Sequence, residues 1–210
     1  MAQYFWIHPT HPQPRLIGQA AAIIRAGGVL VYPTDSCYAL GCRLGDKNTM
    51  ERIRSIRQLD STHQFTLVCR NLSEISRYAR VDNQAYRLLK AATPGSYTFI
   101  LPATREVPRG LRDPKRRTIG LRVPDHPVAQ ALLRELDEPL LSSTLLLPGD
   151  DLPLNDAQQI RGRLEHRVEL VLDAGSCGIE MTTVVDLTQP QPTVLRAGKG
   201  STAIFGAHVA

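Results

Sequence analysis

The sequence predicts an α/β protein with a mixed parallel and antiparallel sheet, and three observations support this prediction. Strand-like and helix-like segments alternate along all 210 residues, which is the pattern of α/β domains. The composition, 42% hydrophobic and 21% charged, is typical of a globular chain with a sizeable core. The sequence contains no long linker, internal repeat or low-complexity stretch, so a single domain is expected.

Five helices are predicted where apolar residues recur every three or four positions between start and stop signals. A glycine pair at Gly27-Gly28 ends the first helix, and Pro127 suits the first turn of the fourth. The predicted helices are Arg15–Ala26, Asn48–Arg57, Asn83–Ala92, a helix that opens at His126-Pro127, and Asn155–Leu164.

Strands are predicted from short runs of β-branched and other apolar residues that lie between turn residues. The predicted strands are Tyr4–Ile7, Val29–Tyr32, Phe65–Cys69, Tyr97–Leu101, Thr118–Val123, Val168–Leu172, Thr183–Leu187 and Thr193–Leu195. Residues Pro139–Leu147 are either a further strand or another buried apolar segment. We therefore expect an N-terminal strand and proline-rich connector in residues 1–14, the main domain in residues 15–200, and a C-terminal tail in residues 201–210.

The segment Tyr32–Gly41 follows a buried strand and is expected to form a rigid loop. Pro33 fixes φ and removes a hydrogen-bond donor, while Thr34 supplies a hydroxyl and Tyr38 a ring with a polar tip. Open α/β sheets keep their ligand sites at such strand ends. The alternative interpretation is an ordinary turn that leads out of a strand.

The charge balance indicates partners that carry phosphate. The net charge is +5, and 21 of the 25 basic residues are arginine, whose planar fork binds phosphate in a bidentate manner. A genomic preference for arginine is the alternative. Prolines and a glycine make residues 105–117 a loop, which either is a solvated surface or binds the phosphates of ATP or RNA. Its cations are Arg105, Arg109, Arg112, Lys115, Arg116 and Arg117.

Two further arginines are candidates for an anion site. Arg122 lies in an otherwise apolar strand, where a guanidinium without a partner is costly, so it either pairs with an internal carboxylate or faces an anion. Arg196 ends a strand shortly before Gly198 and is interpreted as functional too. Asp186 either binds a metal or pairs with an arginine, and the second role is favoured.

Several function classes are disfavoured. The N-terminus does not resemble a signal peptide, and no apolar run approaches the length of a membrane span. The four cysteines form no C-x-x-C pair, which favours a reduced cytoplasmic protein without a tightly bound metal. The sequence has no P-loop, Rossmann, nucleophile-elbow or zincin motif. If the protein is an enzyme, it therefore acts by binding its substrates and by electrostatic stabilisation, without a conspicuous nucleophile.

Segments across the chain resemble the YrdC-like family in their joint order. Residues 33–41 are similar to its P-T-[ED]-[TS]-x-Y-G-L-G signature, with Ala39 at a position that is usually glycine. The N-terminal residues 5–13 are similar to the YciO subgroup. The other similar segments are Pro94-Gly95-x-x-Thr98, residues 120–127, residues 182–186 and Leu195-Arg196-x-Gly198.

The resemblance implies a twisted mixed sheet with a basic concave face, double-stranded RNA or tRNA as a partner, and ATP as a substrate. The family's best-known activity is the synthesis of threonylcarbamoyl-AMP from threonine, bicarbonate and ATP, with release of pyrophosphate. Mg²⁺ can compensate the charge of the phosphates in this reaction. The implied substrate-binding residues are Thr34, Tyr38, Arg57 and Thr144. The implied nucleotide-binding residues are Arg122, Thr182 and Arg196.

Two motifs of the synthases are incomplete in this chain. Their K-x-R motif corresponds to Arg57-Gln58-Leu59, which lacks the second cation. Their S-x-N motif corresponds to Thr144-Leu145-Leu146 or, in another register, to Ser143-Thr144-Leu145, and both alignments lack the amide. Removal of one electrostatic donor from an active site costs a few kcal/mol of transition-state stabilisation. The sequence therefore leaves two hypotheses, a synthase with weak or altered activity and an RNA-binding module that has lost the activity.

Overall fold

The computed structural model describes residues 1–60 and 63–206, which form six α-helices and ten strands. The helices are α1 Pro14–Arg25, α2 Lys47–Arg57, α3 Leu72–Tyr78, α4 Asn83–Ala92, α5 Pro127–Leu136 and α6 Ala157–Leu164. The strands are β1 Gln3–Trp6, β2 Leu30–Tyr32, β3 Ala39–Arg43, β4 Thr66–Val68, β5 Tyr97–Pro102, β6 Thr118–Arg122, β7 Leu140–Thr144, β8 Leu170–Asp173, β9 Thr183–Asp186 and β10 Thr193–Arg196.

The chain contacts divide these elements into two compact units. The first unit contains Met1–His63 and His126–Glu180, and the second contains Gln64–Asp125 and the chain from Met181 onward. Each unit combines parallel and antiparallel strands with helices, as the sequence predicts. The expected C-terminal tail ends in residues 207–210, which lie outside the described part of the chain.

In the first unit the strand order is β1-β8-β2-β3-β7. Strand β8 runs parallel to both β1 and β2, while β3 is antiparallel to both β2 and β7. Helices α1 and α5 pack against each other, and their apolar faces are buried. The β2–β3 pairing brings Ala39 beside Tyr32, so the loop between these strands is held closed at its base.

In the second unit the strand order is β4-β6-β5-β9-β10. Strands β4 and β6 are parallel, β5 is antiparallel to β6 and parallel to β9, and β10 is antiparallel to β9. One face of these strands is buried and carries Phe99, Leu121 and Val185. The other face is only partly covered, with Ile100 and Gly120 near its middle. This second face is therefore the more accessible of the two.

Side-chain caps explain where most helices begin. The Asp46, Asp82 and Asp156 carboxylates each accept backbone N–H groups of the first turn of α2, α4 and α6. Helix α5 starts at Pro127, whose fixed φ suits this position. The predicted bounds of α4 are those of the structure, because a cap precedes it and Pro94 closely follows it.

The prediction of a loop as far as Gly41 is wrong at its C-terminal end, because β3 begins at Ala39. Short polar residues and a glycine conceal a strand that is buried from Ala39 to Cys42. The pairing partners of this strand, β2 and β7, supply the missing context.

The short helix α3 was not predicted from the sequence, although a local signal exists. Asn71 accepts the backbone N–H of Glu74, and the Glu74 carboxylate accepts the backbone N–H of Arg70. This resembles a reciprocal capping box, in which a residue at the helix start and one three positions later satisfy backbone donors. The spacing from Asn71 to Glu74 could have revealed the helix.

We expect Gly41→Ala to destabilise the protein by about 1–3 kcal/mol, the usual cost of overpacking a core. A Cβ at position 41 would lie 2.9 Å from Cε1 of Tyr32. That ring is fully buried, and its hydroxyl lies 2.8 Å from Oγ of Ser142, so it has no room to move. Urea unfolding measures the change in the free energy of unfolding.

Gly162→Ala is the matched control, because no atom lies within 4 Å of the added Cβ. This glycine is exposed on α6, where alanine is favoured over glycine by roughly 0.5–1 kcal/mol. Equal effects of the two substitutions would contradict the packing explanation.

Candidate functional site

The loop that follows β2 is held by hydrogen bonds around one hydroxyl. Thr34 donates from Oγ1 to the carbonyl of Cys37 at 2.6 Å, and the backbone N–H groups of Ser36 and Cys37 donate to Thr34 Oγ1 at 3.2 and 3.3 Å. Thr34 and Ser36 are buried. These hydrogen bonds hold the loop in one conformation, and Thr34 determines its shape.

Tyr38 is fully buried and fixed at both its hydroxyl and its backbone. Its hydroxyl donates to the carbonyl of Gly175 at 2.7 Å, and its own carbonyl accepts the backbone N–H of Leu145 at 3.0 Å. Burial raises the pKa of the Tyr38 phenol well above its ordinary value, so the ring stays neutral. Tyr38 thus anchors the C-terminal end of the loop to Gly175 and Leu145.

Arg57, the last residue of α2, contacts the end of β7. Its Nε donates to the carbonyl of Leu146 at 3.0 Å, and a terminal nitrogen donates to Ser143 Oγ at 2.6 Å. We call residues 143–146 the β7 segment. The guanidinium is half-buried, and this burial lowers the pKa of Arg57, an effect that nearby Cys37 opposes. Arg57 and the backbone of Tyr38 therefore converge on the segment that contains Thr144.

His63 was not identified as a candidate from the sequence. It is half-buried, and this burial, followed by the charge of Arg57, lowers its pKa below the ordinary histidine value, with Asp60 acting in the opposite direction. A neutral imidazole is expected beside Arg57 at neutral pH. A histidine in a polar turn after a helix carries no local sequence pattern that would predict its burial or its proximity to Arg57.

The second unit contains a chain of polar contacts at one end of its strands. The Thr98 and Thr182 hydroxyls lie 2.8 Å apart, and Arg196 donates to the Thr182 carbonyl from Nε at 3.1 Å and from a terminal nitrogen at 2.9 Å. Thr98 and Thr182 are buried, whereas Arg196 is half-exposed. The contact between Thr98 and Thr182 joins residues 84 positions apart, so no local sequence pattern could identify it.

Arg122 shares the face and the strand end of these residues. The strand register pairs Thr98 with Val184 and Val184 with Arg196, and one further step of the β5–β6 register places Arg122 opposite Thr98. Arg122 is 8% exposed. We call Thr98, Arg122, Thr182 and Arg196 the threonine–arginine cluster.

Gly198 allows the chain after β10 to return to this cluster. A Cβ at this position would lie 2.3 Å from the Met181 carbonyl oxygen and 2.7 Å from the carbonyl carbon of Thr182. The Gly198 backbone N–H instead donates to Thr183 Oγ1 at 2.9 Å. The Leu195-Arg196-x-Gly198 motif thus combines a guanidinium with a close backbone approach.

The basic loop, residues 105–117, lies at the other end of the strands, since it connects the end of β5 to the start of β6. Val107 and Leu111 are buried, and Arg112 donates to the carbonyls of Val107 at 2.8 Å and Arg105 at 3.0 Å. Arg116 pairs with Asp186 at 2.5 Å, which confirms the preferred role of that carboxylate. The remaining cations, Arg105, Arg109, Lys115 and Arg117, are exposed.

The same loop lines an open, concave cavity of about 740 Å³, which we call the arginine cavity. Its eight lining residues include a single acid, Asp113. The arginines that line it are Arg105, Arg109, Arg112 and Arg117. Four of the six predicted RNA-binding residues thus line the arginine cavity, and the other two, Lys115 and Arg116, lie outside it.

Within the described residues, neither a metal-binding cluster nor a membrane-spanning helix is found. Residues 1–60 and 63–206 contain no group of three or more side chains placed to hold a metal ion. In the same part of the chain, none of the helices combines the length and the apolar character that a membrane crossing requires.

Comparison with known proteins identifies close relatives. A family model described as "Sua5_yciO_yrdC: Telomere recombination" matches residues 22–198. YciO of Escherichia coli strain K12 is 57% identical over 98% of this chain and 100% of its own length. The crystal structure of E. coli YciO matches with a TM-score of 0.94 and 56% identity, over 98% of this chain and 100% of that chain.

More distant relatives carry the name of an enzyme. The threonylcarbamoyl-AMP synthase of Chromobacterium violaceum is 36% identical over 65% of this chain and 70% of its own length. Sua5 of Pyrococcus abyssi, solved with L-threonine, matches with a TM-score of 0.85 and 25% identity, over 93% of this chain and 57% of that chain. The structural matches confirm the predicted fold class, a single α/β domain with a mixed sheet and flanking helices.

We expect Asp186→Asn to reduce the dependence of stability on acid pH. Burial of Asp186 opposes ionisation, but hydrogen bonds from Thr188 and Arg116 outweigh it and lower the pKa of the carboxyl below its ordinary value. A lowered folded-state pKa contributes stability above the unfolded pKa of 3.8 that is lost as the pH falls through the folded value. Urea unfolding between pH 5 and roughly pH 2 measures this loss, which the variant should lack.

Asp151→Asn is the control, because Asp151 is an exposed acid of the first unit. At neutral pH we expect Asp186→Asn to cost roughly 1 kcal/mol, since Arg116 is half-exposed and water screens the pair. An unchanged acid profile in Asp186→Asn would contradict the assignment.

Proposed function

The chain belongs to the Sua5–YciO–YrdC family, and on this premise we propose that it binds ATP and has a weak activity of the threonylcarbamoyl-AMP synthase type. The substrates of that reaction are threonine, bicarbonate and ATP, and pyrophosphate leaves. The observation that carries the proposal is the threonine–arginine cluster, which places two arginines on one partly open face of the second unit.

The chemistry needs few reactive groups from the protein. Charge develops on the phosphates as pyrophosphate leaves, and guanidinium groups that are already in position stabilise that charge without reorganisation. Arg196 is held by Thr182, which in turn bonds Thr98, so its orientation is fixed before a nucleotide arrives. Mg²⁺ enters with the nucleotide, because this ion keeps water and phosphate ligands and needs few protein side chains.

The first unit supports the substrate side of the proposal through the rigid Thr34 loop, Arg57 and the β7 segment. Leucines 59 and 146 are half-exposed at the two positions where the synthases have a cation and an amide. Neither leucine can donate a hydrogen bond from its side chain, so transition-state binding is weaker. A slow reaction follows, in the cytoplasm, where free thiols remain reduced.

We expect the double variant Leu59→Arg with Leu146→Asn to release pyrophosphate faster than either single variant, because the two groups act on one bound intermediate. The measurement is pyrophosphate release that depends on both threonine and bicarbonate, with ATP binding followed by calorimetry. Leu152→Asn is the matched control, because Leu152 is 56% exposed. If ATP does not bind and no variant releases pyrophosphate, the enzymatic function is wrong.

A second function, the binding of double-stranded RNA or tRNA, is favoured by the basic loop. Five of its six cations are exposed within one stretch of 13 residues, and four of these five, all except Arg116, make no ion pair with Asp186. Exposed arginine and lysine side chains attract a phosphate backbone without reading its bases. We therefore propose that RNA binds through this loop, either beside the synthase activity or in place of it.

RNA binding through the basic loop should weaken steeply with salt. The logarithm of the affinity falls with the logarithm of salt concentration by roughly 0.9 per phosphate neutralised on a duplex. A variant with glutamine at four positions of the basic loop should bind RNA more weakly, and its affinity should depend less steeply on salt concentration. Fluorescence anisotropy measures both effects. The four substitutions are Arg105→Gln, Arg109→Gln, Lys115→Gln and Arg117→Gln.

Arg87→Gln with Lys90→Gln is the control variant, because both side chains are exposed on α4 of the same unit. It should change affinity only slightly. Binding that ignores salt, or that survives the four substitutions, would contradict the RNA proposal.

A further inference from the structure

The arginine cavity differs from a surface that follows a nucleic-acid backbone. Four of its eight lining residues are arginines from a single loop, and the cavity volume is about 740 Å³. The one acid, Asp113, directs its carboxylate at backbone donors, because Oδ1 accepts the N–H groups of Lys115 at 2.9 Å and Arg116 at 2.6 Å. The cavity is therefore strongly cationic and concave.

The arginines of the cavity are presented by a folded loop. Arg117 adopts φ of 55°, a conformation that is uncommon for a residue other than glycine. Backbone hydrogen bonds hold it there, from its N–H to the Asp113 carbonyl and from the Ala103 N–H to its own carbonyl, both at 2.9 Å. Together with the Arg112 contacts and the buried Val107, these bonds fix the loop backbone before a ligand arrives, so binding has to order only the exposed arginine side chains.

The shape and charge of the cavity select one kind of phosphate. Internal phosphates of a duplex are diesters with a single charge each on a convex surface, whereas a terminal phosphate projects and carries about −1.5 to −2 charges at pH 7. An arginine fork binds such a group through two parallel hydrogen bonds. A volume of this size is typical of small-molecule sites and can hold a nucleotide end.

We propose that the arginine cavity is a pocket for a terminal phosphate group. The inference rests on the proposed RNA binding for its source, the 5′-phosphate of an RNA strand. A free oligophosphate such as pyrophosphate shares the same chemistry and is the other source. The pocket gives the basic loop a preference for RNA ends that simple backbone binding does not have.

The test compares one RNA sequence with a 5′-hydroxyl and with a 5′-monophosphate, and adds inorganic pyrophosphate alone as a third probe. We expect the phosphorylated RNA to bind about tenfold more tightly, the factor that a charge-assisted hydrogen bond supplies. The preference should shrink below about pH 6, where the terminal phosphate takes up its second proton. Anisotropy measures the RNAs and calorimetry measures pyrophosphate.

The variant Arg105→Gln with Arg109→Gln should abolish the preference for the 5′-phosphate. These two side chains line the cavity and are exposed, and the contact of Arg112 with residue 105 uses the backbone carbonyl, so the loop remains folded. Circular dichroism and urea unfolding verify that the fold is retained. Arg87→Gln with Lys90→Gln removes the same charge elsewhere on the unit and should leave the preference unchanged.

The outcomes separate this inference from the RNA proposal. Equal affinity for the two RNAs, with no pyrophosphate binding that depends on Arg105 and Arg109, overturns the pocket and leaves RNA binding intact. Pyrophosphate binding that needs Arg105 and Arg109, with no RNA bound, supports the pocket and overturns the RNA proposal. A 5′-phosphate preference that survives the double substitution overturns the assignment to this cavity.

Discussion

The register in which β5 pairs with β6 and β9 determines what the second unit displays on each face. Phe99, Leu121 and Val185 occupy partner positions and are fully buried, so the neighbouring residues of each strand must point the other way. A slip of one residue would exchange the two sets of side chains. The apolar side thus sets the register, and that register places Arg122 opposite Thr98.

Local sequence patterns predict a helix with its bounds where a capping residue, a helical repeat of apolar residues and a stop signal coincide, as in α4 between Asp82 and Pro94. They failed for β3, because a buried strand with few β-branched residues looks like a loop until its partners are known. The candidate arginines could be singled out because a charge in an apolar run is unusual. The Thr98–Thr182 contact could not, because it depends on tertiary pairing.

The contacts of Arg57 explain why leucine is compatible with the fold at position 146. Arg57 reaches the carbonyl of Leu146 and the hydroxyl of Ser143, and neither interaction involves the side chain at 146. The link between α2 and the β7 segment is therefore independent of that side chain. A change of the Leu146 side chain leaves both hydrogen bonds of this link in place, so only a small loss of stability is expected at this position.

The basic loop leaves and rejoins the strands at neighbouring points, because Pro102 of β5 pairs with Thr118 of β6. Its ends are fastened by the bond from the Ala103 N–H to the Arg117 carbonyl. The loop is also anchored between these ends, because Val107 and Leu111 are buried and Arg116 pairs with Asp186 of β9. A replacement loop would have to keep these buried residues and the Arg116 pair, whereas the exposed side chains of Arg105, Arg109 and Lys115 can change at little cost in stability.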